Sequence, residues 1–231
     1  MCMKLKHLII IILMISSGIF YYGITGNVVG EREEKVVSRV IDGDTLELIG
    51  GEKVRLIGIN TPEKSRGLYL KAKEFVQELV ENKSVEIENY GFDKYGRSLA
   101  YVFIGGVNLN RKILEMGFGT LYYYEKDLHY EELRIAEEFA RLNGKGLWDK
   151  SSNWGCLKIV KFKNDEPESL VLENICDRDL KIEFKDDATH IYEAVIEGDS
   201  IYTKEFSHIW NNEGDSIYVY DTEGLLIFYR Y

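Results

Sequence analysis

Histidine, cysteine and proline are all scarce in this chain of 231 residues. The four histidines are scattered, which argues against a zinc site. No histidine and cysteine cluster surrounds any of the three cysteines, which argues against a cysteine nucleophile. With only two prolines and 45% hydrophobic residues, the chain can bury a core, and its length fits one or two domains.

An excess of basic residues is also missing. The formal net charge is -10, divided into about +1 for residues 1–35, about -2 for residues 36–150 and about -9 for residues 151–231. Because no basic patch is evident, affinity for nucleic acid from counterion release should be low. We therefore expect contacts with any nucleic acid to concentrate at an active site, where a cation compensates the local carboxylates.

Three short motifs place complementary charges beside apolar runs. Residues 40–46 (VIDGDTL) carry two acids on a tight turn. Residues 55–63 (RLIGINTPE) begin with an arginine and end with a glutamate, and residues 93–101 (DKYGRSLAY) add a second arginine. Each motif alone could be an ordinary turn or strand exit, because Asp, Gly and Pro are common there. Together they supply the parts needed for phosphodiester hydrolysis: carboxylates for a hard cation, one carboxylate as base and two guanidiniums.

Each part answers a chemical demand of that reaction. Arg55 and Arg97 can bond two phosphate oxygens at once and remain protonated at any working pH. Asp44 can give a carboxylate oxygen to Ca²⁺, and a backbone carbonyl near Thr61 can add another ligand. Glu63 then remains to take a proton from water.

The ordered motifs resemble the thermonuclease (staphylococcal nuclease-like) family over about residues 36–150, roughly half of the chain. Residues 108–110 (NLN), 116–118 (MGF) and 146–148 (GLW) complete the resemblance. It implies a five-stranded OB-type barrel with packed helices. It also implies Ca²⁺-dependent cleavage of DNA and RNA, with products that end in 3′-phosphate.

The resemblance also assigns roles by motif position. The implied catalytic residues are Arg55, Glu63 and Arg97. The implied metal ligands are Asp44, Asn60 and Thr61, and the implied substrate contacts are Lys94, Tyr95 and Tyr123. Asn60 stands where the founding member of the family has an aspartate, so we expect weaker Ca²⁺ binding. The segment between Glu63 and Arg97 is also shorter than in that member, so substrate preference does not carry over.

Hydrophobic periodicity gives the elements around these motifs. Apolar spacings of three and four predict an amphipathic helix over residues 68–80, followed by a strand at residues 85–88. A second helix is predicted over residues 130–142, with Asn143 and Gly144 as its stop signal. Its expected buried face contains Leu133, Ala136, Phe139 and Ala140. The Glu and Arg residues between them are expected to face solvent.

Residues 1–30 read as a leader. Lys4 and Lys6 precede an uncharged run of about 23 residues, which is long enough to span a bilayer. A membrane anchor is one interpretation, and a signal peptide cleaved after the small residues 16–18 is the other. Both place the folded part outside the cytoplasm, where weak calcium sites can fill.

Cys156 and Cys176 form an even pair once Cys2 is assigned to the leader. In an oxidising compartment they can form a disulfide, and closing a loop of about 20 residues contributes about 3 kcal/mol. Two buried free thiols are the alternative.

Residues 156–231 are rich in strand formers, aromatics and acids, after a short linker at residues 151–153. Residues 209–226 combine a turn, a strand and an Asp-x-x-Gly hairpin, and they resemble the end of lamin-tail domains, which are immunoglobulin-like β-sandwiches. Residues 172–174 are similar to an early strand of that domain, while residues 180–184 replace its usual Gly-Trp strand. The predicted class is therefore β-rich α+β, an OB-type barrel followed by a small sandwich.

The function predicted from these observations is a monomeric, calcium-dependent endonuclease acting on DNA or RNA outside the cytoplasm. One alternative is an inactive OB-type module that binds nucleic acid or protein. Another makes the C-terminal domain an adhesion or scaffold module with an unknown surface partner. Because the nuclease motifs end by Trp148, we expect residues 31–152 to fold and cleave alone.

Overall fold

The computed structural model describes residues 31–231, apart from residues 65, 124–125, 189 and 212–213. Arg32–Tyr231 form one compact unit. The predicted leader at residues 1–30 lies outside the described residues. None of the helices within the described part is long and apolar enough to cross a membrane.

Five strands close into the predicted barrel. The strands of this half are β1 (Arg32–Asp42), β2 (Thr45–Leu48), β3 (Lys53–Leu56), β4 (Ile59–Asn60), β5 (Ser84–Phe92), β6 (Ser98–Ile104), β7 (Val107–Asn108) and β8 (Thr120–Leu121). The order β3-β2-β1-β5-β6 is antiparallel throughout, and a parallel pairing of β3 with β6 closes the barrel. Buried side chains that alternate along the strands, such as those of Val37, Leu46, Val54 and Val102, fill the interior of the barrel.

Three helices accompany the barrel: α1 (Tyr69–Val80), α2 (Leu109–Glu115) and α3 (Tyr130–Leu142). The predictions for α1 and α3 are confirmed, α1 with a shift of one residue at its start. A single 3₁₀ turn follows at Gly146–Trp148. Helix α2 was not predicted because seven residues are too few to show a helical period. Its local signal is the N-cap Asn108, whose side chain accepts from the Arg111 backbone nitrogen at 3.2 Å.

The expected solvent-facing side of α3 is partly wrong. Glu137 is only 2% exposed, whereas Phe139, expected in the core, is 42% exposed. Glu137 Oε1 accepts from the Leu121 backbone nitrogen at 2.6 Å and from Arg230 Nη2 at 3.2 Å. A buried carboxylate is tolerated here because a backbone donor and a guanidinium satisfy it.

The C-terminal residues form two antiparallel sheets, here called the C-terminal sheets. Their strands are β9 (Leu157–Lys163), β10 (Glu168–Asn174), β11 (Leu180–Lys185), β12 (Ile191–Ile196), β13 (Ser200–Phe206), β14 (Ser216–Tyr220) and β15 (Leu225–Arg230). One sheet has the order β13-β10-β9 and the other β12-β11-β14-β15. Leu170 and Leu172 from the first share a buried cluster with Ile182 and Val219 from the second. The lamin-tail and immunoglobulin-like assignments stay predictions.

Two further features tie this region together. A disulfide joins Cys156 to Cys176, so the prediction of a bridge over free thiols is confirmed. Trp148 is fully buried, and its ring lies 5.0 Å from the Phe228 ring and 5.9 Å from the Tyr218 ring. The closing residue of the nuclease motifs therefore packs against β14 and β15. This contact gives a physical reason to doubt that residues 31–152 are stable alone.

Candidate active site

The turn between β1 and β2 holds Asp44 against Thr61. Asp42 pairs with Thr45 across this turn, so the Asp-Gly-Asp-Thr motif is a hairpin as well as a candidate site. A Cβ at Gly43 would lie 2.8 Å from Thr61 Oγ1, so glycine permits this close approach. Asp44 Oδ2 accepts from the Thr61 backbone nitrogen at 2.9 Å and from Thr61 Oγ1 at 3.0 Å. The Asp44 carboxylate therefore has a fixed orientation.

Arg55, on β3, directs its guanidinium to the same place. Its Nη2 lies 3.4 Å from Asp44 Oδ2 and donates to the Ile59 carbonyl at 3.0 Å and to Asn60 Oδ1 at 2.9 Å. The Arg55 side chain is only 14% exposed. These acceptors set the guanidinium in place without any substrate, which is the preorganisation that electrostatic catalysis requires.

Asn60, on β4, connects Arg55 to the C-terminal sheets. Its Oδ1 accepts from Arg55, and its Nδ2 donates to the Asp187 backbone carbonyl at 3.1 Å. The structure thus brings Asp44, Asn60 and Thr61, the predicted metal set, into one cluster with Arg55. Within that cluster the amide oxygen of Asn60 faces the guanidinium.

Asp42 is a candidate that the sequence reasoning left without a role. Burial and then the charge of Asp44 raise the pKa of Asp42 to about 6. Crowded carboxylates of this kind are what a divalent cation relieves, and two acids separated by one glycine on a tight turn were the available signal. Oxygen atoms of Asp42, Asp44 and Thr61 fit a hard cation such as Ca²⁺. The described residues contain no group of three or more His, Cys, Asp or Glu side chains able to hold a metal. Neutral oxygens and water would therefore complete the coordination.

Glu63 is exposed and lies between two clefts. A cleft of about 500 Å³ lies between the barrel and the C-terminal sheets, and one of about 610 Å³ lies beside Asp42 and α1. Glu63 lines both. Within the described part of the chain, the Glu63 carboxylate has no hydrogen-bond or ion-pair partner, so it is free to accept a proton from water.

Arg97 follows a tight turn at the end of β5 that is organised by Asp93. The Asp93 carboxylate accepts from the Tyr95 backbone nitrogen at 2.8 Å, the Arg97 backbone nitrogen at 3.0 Å and Arg97 Nε at 2.7 Å. Burial works to raise the pKa of Asp93, but these bonds outweigh it and the pKa is lowered. The predicted substrate contacts lie on the same turn: Tyr95 is 72% exposed, and Lys94 Nζ lies 5.1 Å from its ring.

The two arginines reach the site from different strands. Arg55 on β3 pairs with Leu99 on β6, and Arg97 stands two residues before Leu99. Closure of the barrel therefore brings the backbone segments that carry the two arginines next to each other.

Tyr123, the third predicted substrate contact, is half-buried. Its hydroxyl bonds to the Tyr101 hydroxyl and donates to Asp127 Oδ1 at 2.9 Å. Burial raises the pKa of Tyr123. A Cβ at Gly58, where φ is +76°, would lie 2.9 Å from the Tyr123 ring. Since the hydroxyl is engaged internally, the ring is the part of Tyr123 left for a substrate.

A closed barrel with arginines, paired acids and an exposed glutamate has the groups of a phosphodiester hydrolase. The profile of a family described as staphylococcal nuclease homologue matches residues 53–150. The thermonuclease of Staphylococcus hyicus is 32% identical over 130 residues, covering 51% of this chain and 76% of that protein.

Two further relatives match about half of this chain at similar identity. An uncharacterised endonuclease of Haemophilus influenzae is 36% identical over 123 residues, covering 51% of this chain and 67% of its own length. An uncharacterised protein of Methanocaldococcus jannaschii is 35% identical over 150 residues, covering 51% of this chain and 72% of that protein. The chain belongs to the staphylococcal nuclease family, as the motifs predicted. The profile match begins after Asp42 and Asp44, yet the structure joins both acids to the matched region.

Proposed function

We propose that this chain is a calcium-dependent endonuclease that hydrolyses phosphodiester bonds of DNA or RNA and leaves 3′-phosphate ends. The observation that carries the proposal is the Arg55 guanidinium, fixed between Asp44 and Asn60, in the strand-and-turn segment that ends at the exposed Glu63. Membership in a family whose named relatives are thermonucleases and endonucleases supports it.

Each residue has a role in the proposed reaction. Glu63 takes a proton from the attacking water, and Arg55 and Arg97 bind phosphate oxygens as negative charge develops on them. Calcium, when bound, would supply positive charge beside the attacked phosphate. The proposed ligands are Asp44, Asn60 and Thr61, with Asp42 added from the structure. Lys94, Tyr95 and the Tyr123 ring contact the nucleotide.

The test is digestion of plasmid DNA and of RNA by residues 31–231, in Ca²⁺ and in EDTA. We expect cleavage with Ca²⁺ that EDTA abolishes, and products whose 3′ ends require a phosphatase before they can be extended. Glu63→Gln keeps the shape but removes the proton acceptor, so its turnover should be about 10²- to 10⁴-fold lower. Absence of cleavage by the wild type overturns the proposal. It would favour the alternative of an inactive OB-type binding module, although such a module has no need of a free base at Glu63.

We propose that the protein acts outside the cytoplasm as a monomer. The Cys156–Cys176 disulfide supports this location, because such bonds persist in oxidising compartments. Residues 1–30 act as an uncleaved anchor or a cleaved signal peptide. An anchored protein stays in the membrane fraction after a high-salt wash, whereas a secreted chain would begin near Ile19 and remain soluble.

We also propose that residues 156–231 form a lamin-tail-like sandwich with a surface partner of unknown identity. Two antiparallel sheets around one buried cluster support it. Capture of a surface protein by this region, independent of cleavage, would favour the adhesion or scaffold function.

A further inference from the structure

The segment that carries Glu63 is bonded to Asp44 through Thr61, but no side-chain bond within the described residues reaches Glu63 or Lys64. It lies between β4 and α1, and its described residues, 61–64 and 66–68, contain no helix or strand. Glu63 and Lys64 are exposed, and the backbone bond from the Arg66 nitrogen to the Glu63 carbonyl, 2.8 Å, is local. A base must stay within a fraction of an ångström of its productive position to be effective. The positioning of Glu63 therefore depends on what fixes the two ends of this segment.

The first end is held inside the barrel by the pairing of Asn60 with Thr120. It is also joined to the C-terminal region, because the Asp187 carbonyl accepts from Asn60 Nδ2 at 3.1 Å. Asp187 is itself held inside the C-terminal sheets. Its carboxylate accepts from Tyr218 Oη at 2.6 Å and Ser216 Oγ at 3.0 Å, and its backbone nitrogen donates to Asp215 Oδ1 at 3.0 Å. The acceptor for Asn60 is thus a carbonyl of the loop between β11 and β12, and this loop is bonded to β14 through Asp187.

The second end is fixed by an ion pair. The Arg66 guanidinium bonds to the carboxylate of Glu183 on β11, and its Nη1 lies 3.9 Å from Glu193 on β12. The Arg66 and Glu183 side chains are 31% and 28% exposed, so the pair is partly shielded from solvent. Asn60 and Arg66 lie three residues on either side of Glu63, and their bonds end on the loop after β11 and on β11 itself.

We propose that the C-terminal sheets are a working part of the nuclease site, and that the Arg66–Glu183 pair positions the segment bearing Glu63. The inference rests on the proposed function. Arg66 and Glu183 are positioning residues that act through Glu63. They take over a role that a longer local segment could otherwise fill, so the C-terminal sheets support turnover as well as stability.

A charge swap in the full-length protein, purified in detergent, tests the proposal. The variants are Arg66→Glu, Glu183→Arg and the double variant, and Arg134→Glu is the matched control. Arg134 forms comparable ion pairs with Glu131 and Glu138, but on the exposed surface of α3. The measurements are kcat and KM on a single-stranded oligonucleotide with Ca²⁺, the thermal midpoint, and amide hydrogen exchange in peptides spanning residues 61–68.

Each single swap should lower kcat about 10-fold or more, with KM changed less than about 3-fold and faster exchange in residues 61–68. The double variant should recover kcat to within about 3-fold of wild type and restore slow exchange, and Arg134→Glu should behave as wild type. Single variants with wild-type kcat and exchange overturn the inference. So does a double variant that melts like wild type but stays as slow as the singles. If the wild type cleaves nothing, the proposed nuclease function fails, while the exchange measurement still decides whether this pair holds the segment.

Discussion

Arg55 and Arg97 are held in different ways, although both carry the same charge to the site. Arg55 is largely shielded from solvent, with its side chain 14% exposed, and it donates to the Ile59 carbonyl and to Asn60 Oδ1. Arg97 is 29% exposed and is held by Asp93 through Nε, which leaves its terminal nitrogens available. Arg55 is therefore a structural as well as a catalytic group, whereas Arg97 can reorient towards a phosphate.

This difference predicts distinct effects of lysine substitution. Arg97→Lys keeps the charge but loses the planar fork, so turnover should fall about 10²-fold or more with little change in unfolding. Arg55→Lys should lower turnover similarly and also lower stability by about 1 to 3 kcal/mol, because buried acceptors lose their donor. Activity assays with urea unfolding separate the two. Equal stability of the two variants would contradict the structural role of Arg55.

Helix α3 is joined to β15 by an ion pair in addition to the packing of its apolar face. Glu137 joins the Leu121 backbone nitrogen to Arg230; the carboxylate and the Leu121 bond are buried, and the Arg230 side chain is 29% exposed. Glu138, the next residue, is 44% exposed and pairs with Arg134 at the surface. Neighbouring glutamates of one helix thus differ in environment and should differ in energetic effect.

Glu137→Ala should destabilise the protein by about 3 kcal/mol or more, because it leaves a partly buried guanidinium and a buried backbone nitrogen without their acceptor. Glu138→Ala should cost less than about 1 kcal/mol, as exposed pairs do. Urea unfolding of the two variants provides the comparison. A small effect of Glu137→Ala would show that water replaces the carboxylate.

The loop between β11 and β12 contains Asp187, whose titration makes the stability of the protein depend on pH. Burial raises the pKa of Asp187 from 3.8 to about 6. The nearby Arg230 lowers this pKa but offsets the burial only in part, and the same guanidinium also pairs with Glu137. Between about pH 4 and pH 6 the folded state holds a proton on Asp187 that the unfolded state has lost. The stability contributed by this group is therefore complete below about pH 4 and is lost as the pH rises through about 6.

Asp187→Asn removes this titration and keeps an acceptor for the Tyr218 hydroxyl. Relative to wild type, the variant should gain stability as the pH rises from 4 to 6, by about 3 kcal/mol at most. Thermal unfolding at several pH values measures the difference. Parallel pH profiles for the two proteins would show that Asp187 is ionised throughout.

The sequence predicted the features that depend on local pattern. The bounds of α1 and α3 and the strand and hairpin at β14 and β15 follow from periodicity and turn residues, while the barrel follows from the resemblance of the ordered motifs to the nuclease family. It missed what depends on distant contacts. Glu137 looked like one more charged residue on a helix, and Arg66 and Glu183, 117 positions apart, carry no common motif. Asp42 was visible on its turn, but only packing shows that burial raises its pKa.

At the scale of the whole molecule, the barrel and the C-terminal sheets share buried surface. Trp148, Tyr218 and Leu225 belong to one buried cluster, and Ser151, expected in a linker, is only 4% exposed. The Ser151 hydroxyl donates to the Asp221 carboxylate at 2.6 Å. The connection between the two regions is therefore packed against the protein.

A fragment of residues 31–152 tests this arrangement and replaces the expectation that it folds and cleaves alone. We expect its thermal midpoint to fall by about 10 °C or more, because the Trp148 cluster loses half of its members. Trp148 is the one tryptophan that the fragment retains, so its fluorescence reports that site alone. A fragment with the midpoint of the full chain and a buried Trp148 would restore the original expectation.

The site can form only when β3 pairs in parallel with β6 and closes the barrel. Arg55 and Arg97 are 42 positions apart in the sequence, and the pairing of β3 with β6 is what brings their segments together. An unfolded chain crossing a membrane, or one newly made on a ribosome, has every reactive group and no means of using them together. The proposed activity therefore cannot arise before the barrel has closed.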